Sequence, residues 1–286
     1  MYSLKILITG ASGKVGAAVA AALEKTHRLV LVDREPPKTV RPGIISYELD
    51  LAAPHNLGKV MQIEKPDAVI HLAALLGPAC EQDPSLAEKI NTDATALLAE
   101  LAAANGVKRF VFASTSGVYA QEHLSATNES SNIRPLSIYG KTKLRAEQAL
   151  NLVADRSETT FVALRMFNVY GPAFTDSLVY KLTYSTAEHP VTVYGPDVYY
   201  RDYVHVSDVA RAIEAATLRP LPQALHIFNV GSGKATNTTS LITQLKGLGI
   251  TPYYVLKRGS ELQVTWADIS RAEQMLGFHP VINIVV

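Results

Sequence analysis

The stretch LKILITGASGKVG, residues 4–16, limits this chain's fold more than any other feature. A short apolar run ends at a glycine and gives way at once to an alanine-rich helical pattern. Glycines stand at 10, 13 and 16, a G-x-x-G-x-x-G spacing between strand and helix. In a turn of this kind the first glycine permits the tight bend. The second lets the backbone approach a pyrophosphate, and the third lets the helix pack closely on the strand. The first helical residues, Lys14 and Val15, put a helix N-terminus beside that negative charge.

The pattern then repeats. Apolar runs that read as strands lie at 4–10, 28–33, 43–50, 67–73, 109–115, 160–171 and 226–231. Helical spacing fills 14–25, 54–64, 84–105 and 139–155. Strands apolar on both faces, alternating with helices, predict an α/β fold: a Rossmann-like, doubly wound parallel sheet covered on both sides. Such sheets bind ligands at the carboxyl ends of their strands. Asp33 ends the second strand. An acid there accepts hydrogen bonds from ribose hydroxyls and repels a 2′-phosphate, which points to NAD rather than NADP, although Arg34 follows. Beyond residue 171 Pro and Gly become frequent. The reading is a core over 1–171, revisited by 201–231, and a small substrate-binding lobe from 172–200 and 232–286.

Composition excludes other classes. With 27 Lys and Arg against 26 Asp and Glu, a net charge of +1 suggests no nucleic-acid partner. The single cysteine, Cys80, excludes an internal disulfide and a cysteine-rich metal site. The eight histidines show no ligand spacing, so no metal is expected. No apolar run approaches the ~20 residues of a membrane span, and the N-terminal run reads as a strand rather than a signal peptide. The expectation is a soluble, cytoplasmic protein.

The stretch SIYGKTK, residues 137–143, holds Tyr139 and Lys143 one helical turn apart. Tyr253 and Lys257 share the spacing, but TPYYVLKRG alternates like a strand, which separates the two side chains.

Further motifs occur in order: ELDL (48–51), HLAA (71–74), INTDAT (90–95), FASTSGVY (112–119), RMFNVYGP (165–172), RDYVHVSDVA (201–210), FNVGSG (228–233) and DISRAEQMLGF (268–278). With the glycine turn and YGKTK they resemble the extended short-chain dehydrogenases/reductases, and among them the NAD-dependent epimerase/dehydratase family. The resemblance runs over nearly the whole chain. It implies a triad of Thr115, Tyr139 and Lys143. It places Asp50 and Leu51 at the adenine, and Leu72, Ala73 and Ala74 at the strand end beside the cofactor. Asn91 falls in the helix packed on the strand that carries Thr115. Asn168 and Arg201 match positions that contact the substrate diphosphate; for Arg201 an ion pair with Asp202 or Asp208 is the alternative. His205 reads as packing.

The same resemblance implies a mechanism. A phenol ionises near ~10, too high for a base at neutral pH. Lys143 and the oxidised nicotinamide would lower the Tyr139 pKa. Tyr139 would take the proton of a sugar hydroxyl while Thr115 orients it. The family's dehydratases carry Asp-Glu after the threonine; here Ser116 and Gly117 stand there, which resembles the 4-epimerases. The reading is an NAD-dependent nucleotide-sugar 4-epimerase of the UDP-glucose/UDP-galactose type. A dehydrogenase or ketoreductase, including the L-threonine 3-dehydrogenase branch that HLAALLGPACEQDP resembles, stays open, as does a non-catalytic NAD-binding protein. The chain ends at FHPVINIVV, short of the helix that often ends these proteins, so a trimmed substrate lobe is expected. The family's habit implies a homodimer through helices 84–105 and 139–155.

Overall fold

The structure is a computed structural model and describes residues 3–35, 43–120, 125–257 and 263–284. The first half alternates strand and helix. Its elements are β1 (Lys5–Thr9), α1 (Lys14–Leu23), β2 (Arg28–Asp33), β3 (Ile45–Glu48), α2 (Leu57–Glu64) and β4 (Ala68–His71). Then come α3 (Gly77–Gln82), α4 (Pro84–Glu88), a π-helical turn (Lys89–Asp93), α5 (Ala94–Ala104), β5 (Arg109–Thr115), a 3-10 turn (Ser116–Val118), α6 (Ile138–Ala154) and β6 (Thr160–Met166). Shorter elements follow: β7 (Asn168–Tyr170), α7 (Leu178–Thr183), β8 (Val191–Tyr194), β9 (Tyr199–Arg201), β10 (Tyr203–His205), α8 (Val206–Leu218) and β11 (Leu225–Val230). The last are β12 (Thr236–Asn237), α9 (Thr238–Gly247), β13 (Tyr254–Lys257), β14 (Gln263–Thr265) and α10 (Ser270–Leu276).

Seven strands form one sheet in the order β11-β6-β5-β4-β1-β2-β3. The pairings from β3 through β2, β1 and β4 to β5 are all parallel. Read from β3 to β6, this is the Rossmann order. Ile6, Leu7 and Ile8 of β1 are fully buried, as are Val69 and Ile70 of β4 and Phe110, Val111 and Phe112 of β5. A strand covered on both faces has no polar side to present, which is why these segments read as continuous apolar runs. Leu98, Ala99 and Ala102 of α5 and Ala146 and Leu150 of α6 pack into the same core.

The chain divides into two compact units. The first comprises 1–119, 133–165 and 210–228; the second comprises 120–132, 166–209 and 229–286. The boundaries differ from those read in the sequence. Residues 168–170 were assigned to the core, but β7 pairs in parallel with β10, Asn168 opposite Tyr203, and both strands belong to the second unit. The second unit has its own core of Tyr170, Val179, Leu182, Val193, Leu241 and Leu245. Its two other small sheets are β12-β9-β14 and β13-β8.

Two expected elements are divided. The run 160–171 is two strands, β6 and β7. The helix expected over 84–105 is α4, the π-helical turn and α5, and the turn holds Asn91. π-turns of this sort recur at functional positions.

Candidate active site

β1 ends at Thr9 and α1 starts at Lys14, so the glycine turn lies at the carboxyl end of the sheet. Gly10 has φ +69°, and a Cβ there would stand 2.6 Å from the Ala73 nitrogen. No other residue fits. Gly13 caps α1 with no side-chain hydrogen bond, and Gly13 and Lys14 are exposed. The helix start is open to an anion. Val15 is half-buried and Gly16 buried, against the strand side of the turn.

Asp33 ends β2 as expected. Its Oδ2 accepts from the Ser12 amide at 2.8 Å and its Oδ1 from the Glu35 amide at 3.3 Å, so the glycine turn holds the acid in place. The Arg34 side chain is exposed, 4.0 Å from Glu35. Asp50 accepts from the Ala52 amide at 2.8 Å, and Leu51 is buried beside it. Leu72, Ala73 and Ala74 follow β4 directly and are partly exposed.

Beneath this edge lies His71, fully buried. Its ring nitrogens meet the Thr9 hydroxyl at 2.6 Å and the Thr95 hydroxyl at 2.8 Å. Burial, and then the Lys143 charge, lower its pKa to about 3, so it is neutral at working pH. The sequence reading missed this residue. A histidine inside an apolar strand run was the available signal.

Strand alternation separates Thr115, the threonine expected in the triad, from its neighbour. Ser114 and Thr115 are neighbours on β5, so their side chains leave opposite faces. Ser114 is buried and donates to Glu147 Oε1 on α6. Thr115 is partly exposed, and its Oγ1 accepts from the Gly117 amide at 3.1 Å. α6 starts at a Ser137 cap, whose Oγ accepts from the Gly140 amide at 3.0 Å. Glu81 of α3 accepts from the Ile138 amide at 2.8 Å. A Cβ on Gly140 would lie 2.4 Å from the Gly117 oxygen. The glycine after Tyr139 therefore lets the first turn of α6 press against the turn that follows Thr115.

Lys143 is among the few buried side chains with a polar atom left without a partner among the described residues. It is buried, and its Nζ has no hydrogen-bond partner among the described residues. It stands 4.4 Å from the centre of the Phe112 ring and 5.9 Å from that of Tyr139. Burial lowers its pKa to about 7, against the pull of Glu147 and Cys80. Burial, with a smaller contribution from Cys80, raises the Tyr139 phenol above its ordinary value. The expected depression of that phenol by Lys143 is absent in the chain alone, because desolvation outweighs a half-charged ammonium.

Asn91 is fully buried. Its Oδ1 accepts from the Leu75 amide at 2.8 Å; its Nδ2 donates to the Leu75 carbonyl at 3.0 Å and to Thr142 Oγ1 at 3.1 Å. It ties the strand-end loop to the helix residue just before Lys143. Cys80, buried nearby, donates to the Leu75 carbonyl at 3.2 Å.

Asn168 and Arg201 belong to the second unit. Asn168 Nδ2 donates to the Asp202 carbonyl at 3.1 Å. Arg201 Nη1 donates to the Tyr200 carbonyl at 2.9 Å, and burial lowers the guanidinium pKa. The Asp202 carboxylate accepts from the amides of Ser232, Gly233 and Ala267, at 2.6, 3.0 and 3.1 Å. His205 is buried with its ring edge-on to Tyr170, 5.2 Å between centroids.

Residues 6–231 match the model of the NAD dependent epimerase/dehydratase family. The UDP-glucuronate 4-epimerase of Thermodesulfobacterium geofontis is 30% identical over 97% of this chain and 92% of that protein. The UDP-glucose 4-epimerase of Streptomyces lividans is 28% identical over 96% and 91%. A solved structure of MoeE5 in complex with UDP-glucose and NAD superposes with a TM-score of 0.85, at 32% identity, over 98% of this chain and 94% of that one. The chain belongs to the NAD-dependent epimerase/dehydratase family. The family is NAD-dependent.

Proposed function

We propose that this protein is an NAD-dependent UDP-sugar 4-epimerase that works by transient oxidation at C4. One observation carries the reading: Lys143 Nζ, a cation donor buried without a partner one turn after Tyr139. An ammonium left so is costly unless a ligand completes it. Ribose hydroxyls of NAD would accept its hydrogen bonds. The open start of α1, the close approach at Gly10 and the acid at Asp33 also fit that cofactor. Gly10, Gly13, Lys14, Val15, Gly16 and Asp33 would hold its pyrophosphate and adenosine side. Asp50, Leu51, Leu72, Ala73, Ala74 and Asn91 would line or support its path, and Tyr139 and Lys143 its nicotinamide end.

Bound NAD would supply a hydride acceptor that becomes the donor in the return step. The chain's own residues move the proton. Tyr139 takes it from the C4 hydroxyl and gives it back, Thr115 hydrogen-bonds that oxygen, and the Lys143 charge favours the phenolate. Ser116 and Gly117 offer neither acid nor base for eliminating water. They also leave room beside the reacting carbon. Asn168 and Arg201 are the residues we assign to the diphosphate; a guanidinium suits two phosphate oxygens at once. The named relatives act on UDP-glucose and UDP-glucuronate, which makes UDP the favoured nucleotide.

The test is isotopic. With UDP-galactose deuterated at C4, the product should be UDP-glucose that keeps its deuterium at C4. Deuterium lost to water would remove the hydride mechanism. We also propose a cytoplasmic homodimer through α5 and α6, where Leu97 and Leu152 stand exposed.

A further inference from the structure

Tyr139, Lys143 and Glu147 follow at four-residue steps along one face of α6. Glu147 faces Arg165 of β6, and their side chains are only 3% and 4% exposed. Arg165 grips the carboxylate at two points, Nε to Oε1 at 3.0 Å and Nη2 to Oε2 at 2.6 Å. Ser114, just before Thr115, donates its hydroxyl to Oε1. Arg165 also donates to the Tyr119 hydroxyl at 3.0 Å. Burial opposes the guanidinium charge, but Glu147 and Tyr119 outweigh it and hold its pKa above the ordinary value. One carboxylate thus joins α6, β5, β6 and the turn after β5. A buried ion pair is a poor source of stability, since apolar residues of equal volume often do better. Its use must lie in what it specifies.

We propose that Glu147 is the positioning residue of the triad: it fixes α6 against the carboxyl end of β5, so that Tyr139 and Lys143 keep one register relative to Thr115. Its carboxylate is also the larger of the two groups that raise the Lys143 pKa against burial, ahead of Cys80. His71 on β4 is neutral, its pKa lowered to about 3 by burial and then by Lys143. Burial also raises the Cys80 thiol on α3 and the Tyr139 phenol, so both stay protonated near neutral pH. Phe112 on β5 presents only a ring.

The proposal rests on the triad reading, and the experiment separates the two. Three full-length variants are compared with the parent: Ser114→Ala, Glu147→Gln combined with Arg165→Met, and Tyr139→Phe. The double variant leaves no buried unpaired guanidinium. Readouts are Tm, kcat, KM, and the Lys143 titration by carbon-13 NMR of the lysine ε-carbon without cofactor. The parent should titrate at about 7. The double variant should titrate lower, with Tm retained, and its kcat should fall ~10–100-fold with KM little changed, as for a misplaced catalytic group. Ser114→Ala should lower kcat several-fold and leave the lysine midpoint alone. A double variant with parental kcat and parental midpoint would overturn the proposal. Should the double variant not fold, unchanged kcat in Ser114→Ala would overturn the positioning role by itself. Activity surviving Tyr139→Phe would remove the triad reading, whereas the lysine midpoint tests the pair with no turnover at all.

Discussion

Lys143 and His71 are both buried at the carboxyl end of the sheet, and burial displaces both pKa values downward, to about 7 and about 3. For His71 the folded pKa lies below its ordinary 6.5. The unfolded chain therefore binds a proton that the folded chain refuses between about pH 6.5 and 3, and stability falls as pH drops through that window. His71→Gln should lose stability at pH 7 through its two threonine bonds. Its deficit against the parent should narrow as pH falls from 6.5 to 4, by on the order of 1–3 kcal/mol. Urea unfolding at both pH values checks this, and a pH-independent deficit would contradict it. Gly10 carries a different constraint. With φ +69° and the Ala73 nitrogen 2.6 Å from any Cβ, Gly10→Ala must move the strand end against which NAD would lie. It should cost about 1–3 kcal/mol of stability and abolish calorimetric NAD binding.

At the scale of elements, α6 organises the site, and two contacts aim it. The Ser137 cap starts the helix, and Gly140 lets it touch the 3-10 turn after β5. Gly140→Ala would bring a methyl to 2.4 Å from the Gly117 oxygen. It should lower kcat ~100-fold while NAD binding changes much less, because misplacement of about 1 Å has that effect; steady-state rates beside NAD calorimetry decide it. Much of this element pattern was legible in the sequence. Apolar runs gave β2 and β5 at their observed bounds, and the strand-like alternation near Tyr253 appears as β13. The π-helical turn was not legible, because KINTD keeps a helical apolar spacing and only tertiary contacts reveal the extra residue. The Glu147–Arg165 pair was missed for a related reason. Glu147 sits in a segment read for its helical pattern and Arg165 at the start of a motif read for its asparagine, and nothing local announces a partner 18 residues away. The Tyr139 pKa went the other way from expectation, because a sequence reveals a nearby charge but not the depth of burial.

For the whole molecule, the proposed dimer would use helices α5 and α6. Leu152 of α6 is 66% exposed and Leu97 of α5 38%. Leu152→Glu should convert a dimer to monomer in light scattering, with Tm changed by only a few degrees if the parent's stability lies within each subunit. A parent that is already monomeric would remove the dimer proposal. Among the described residues no helix is long and apolar enough to cross a membrane. The residues proposed for the cofactor lie in the first unit, and Asn168 and Arg201 in the second. The most direct measurement follows UDP-galactose with NAD far below substrate concentration, recording UDP-glucose and NADH together. The account predicts UDP-glucose in large excess over NAD with no accumulation of NADH. NADH rising one-for-one with an oxidised sugar would contradict it and make the protein a dehydrogenase.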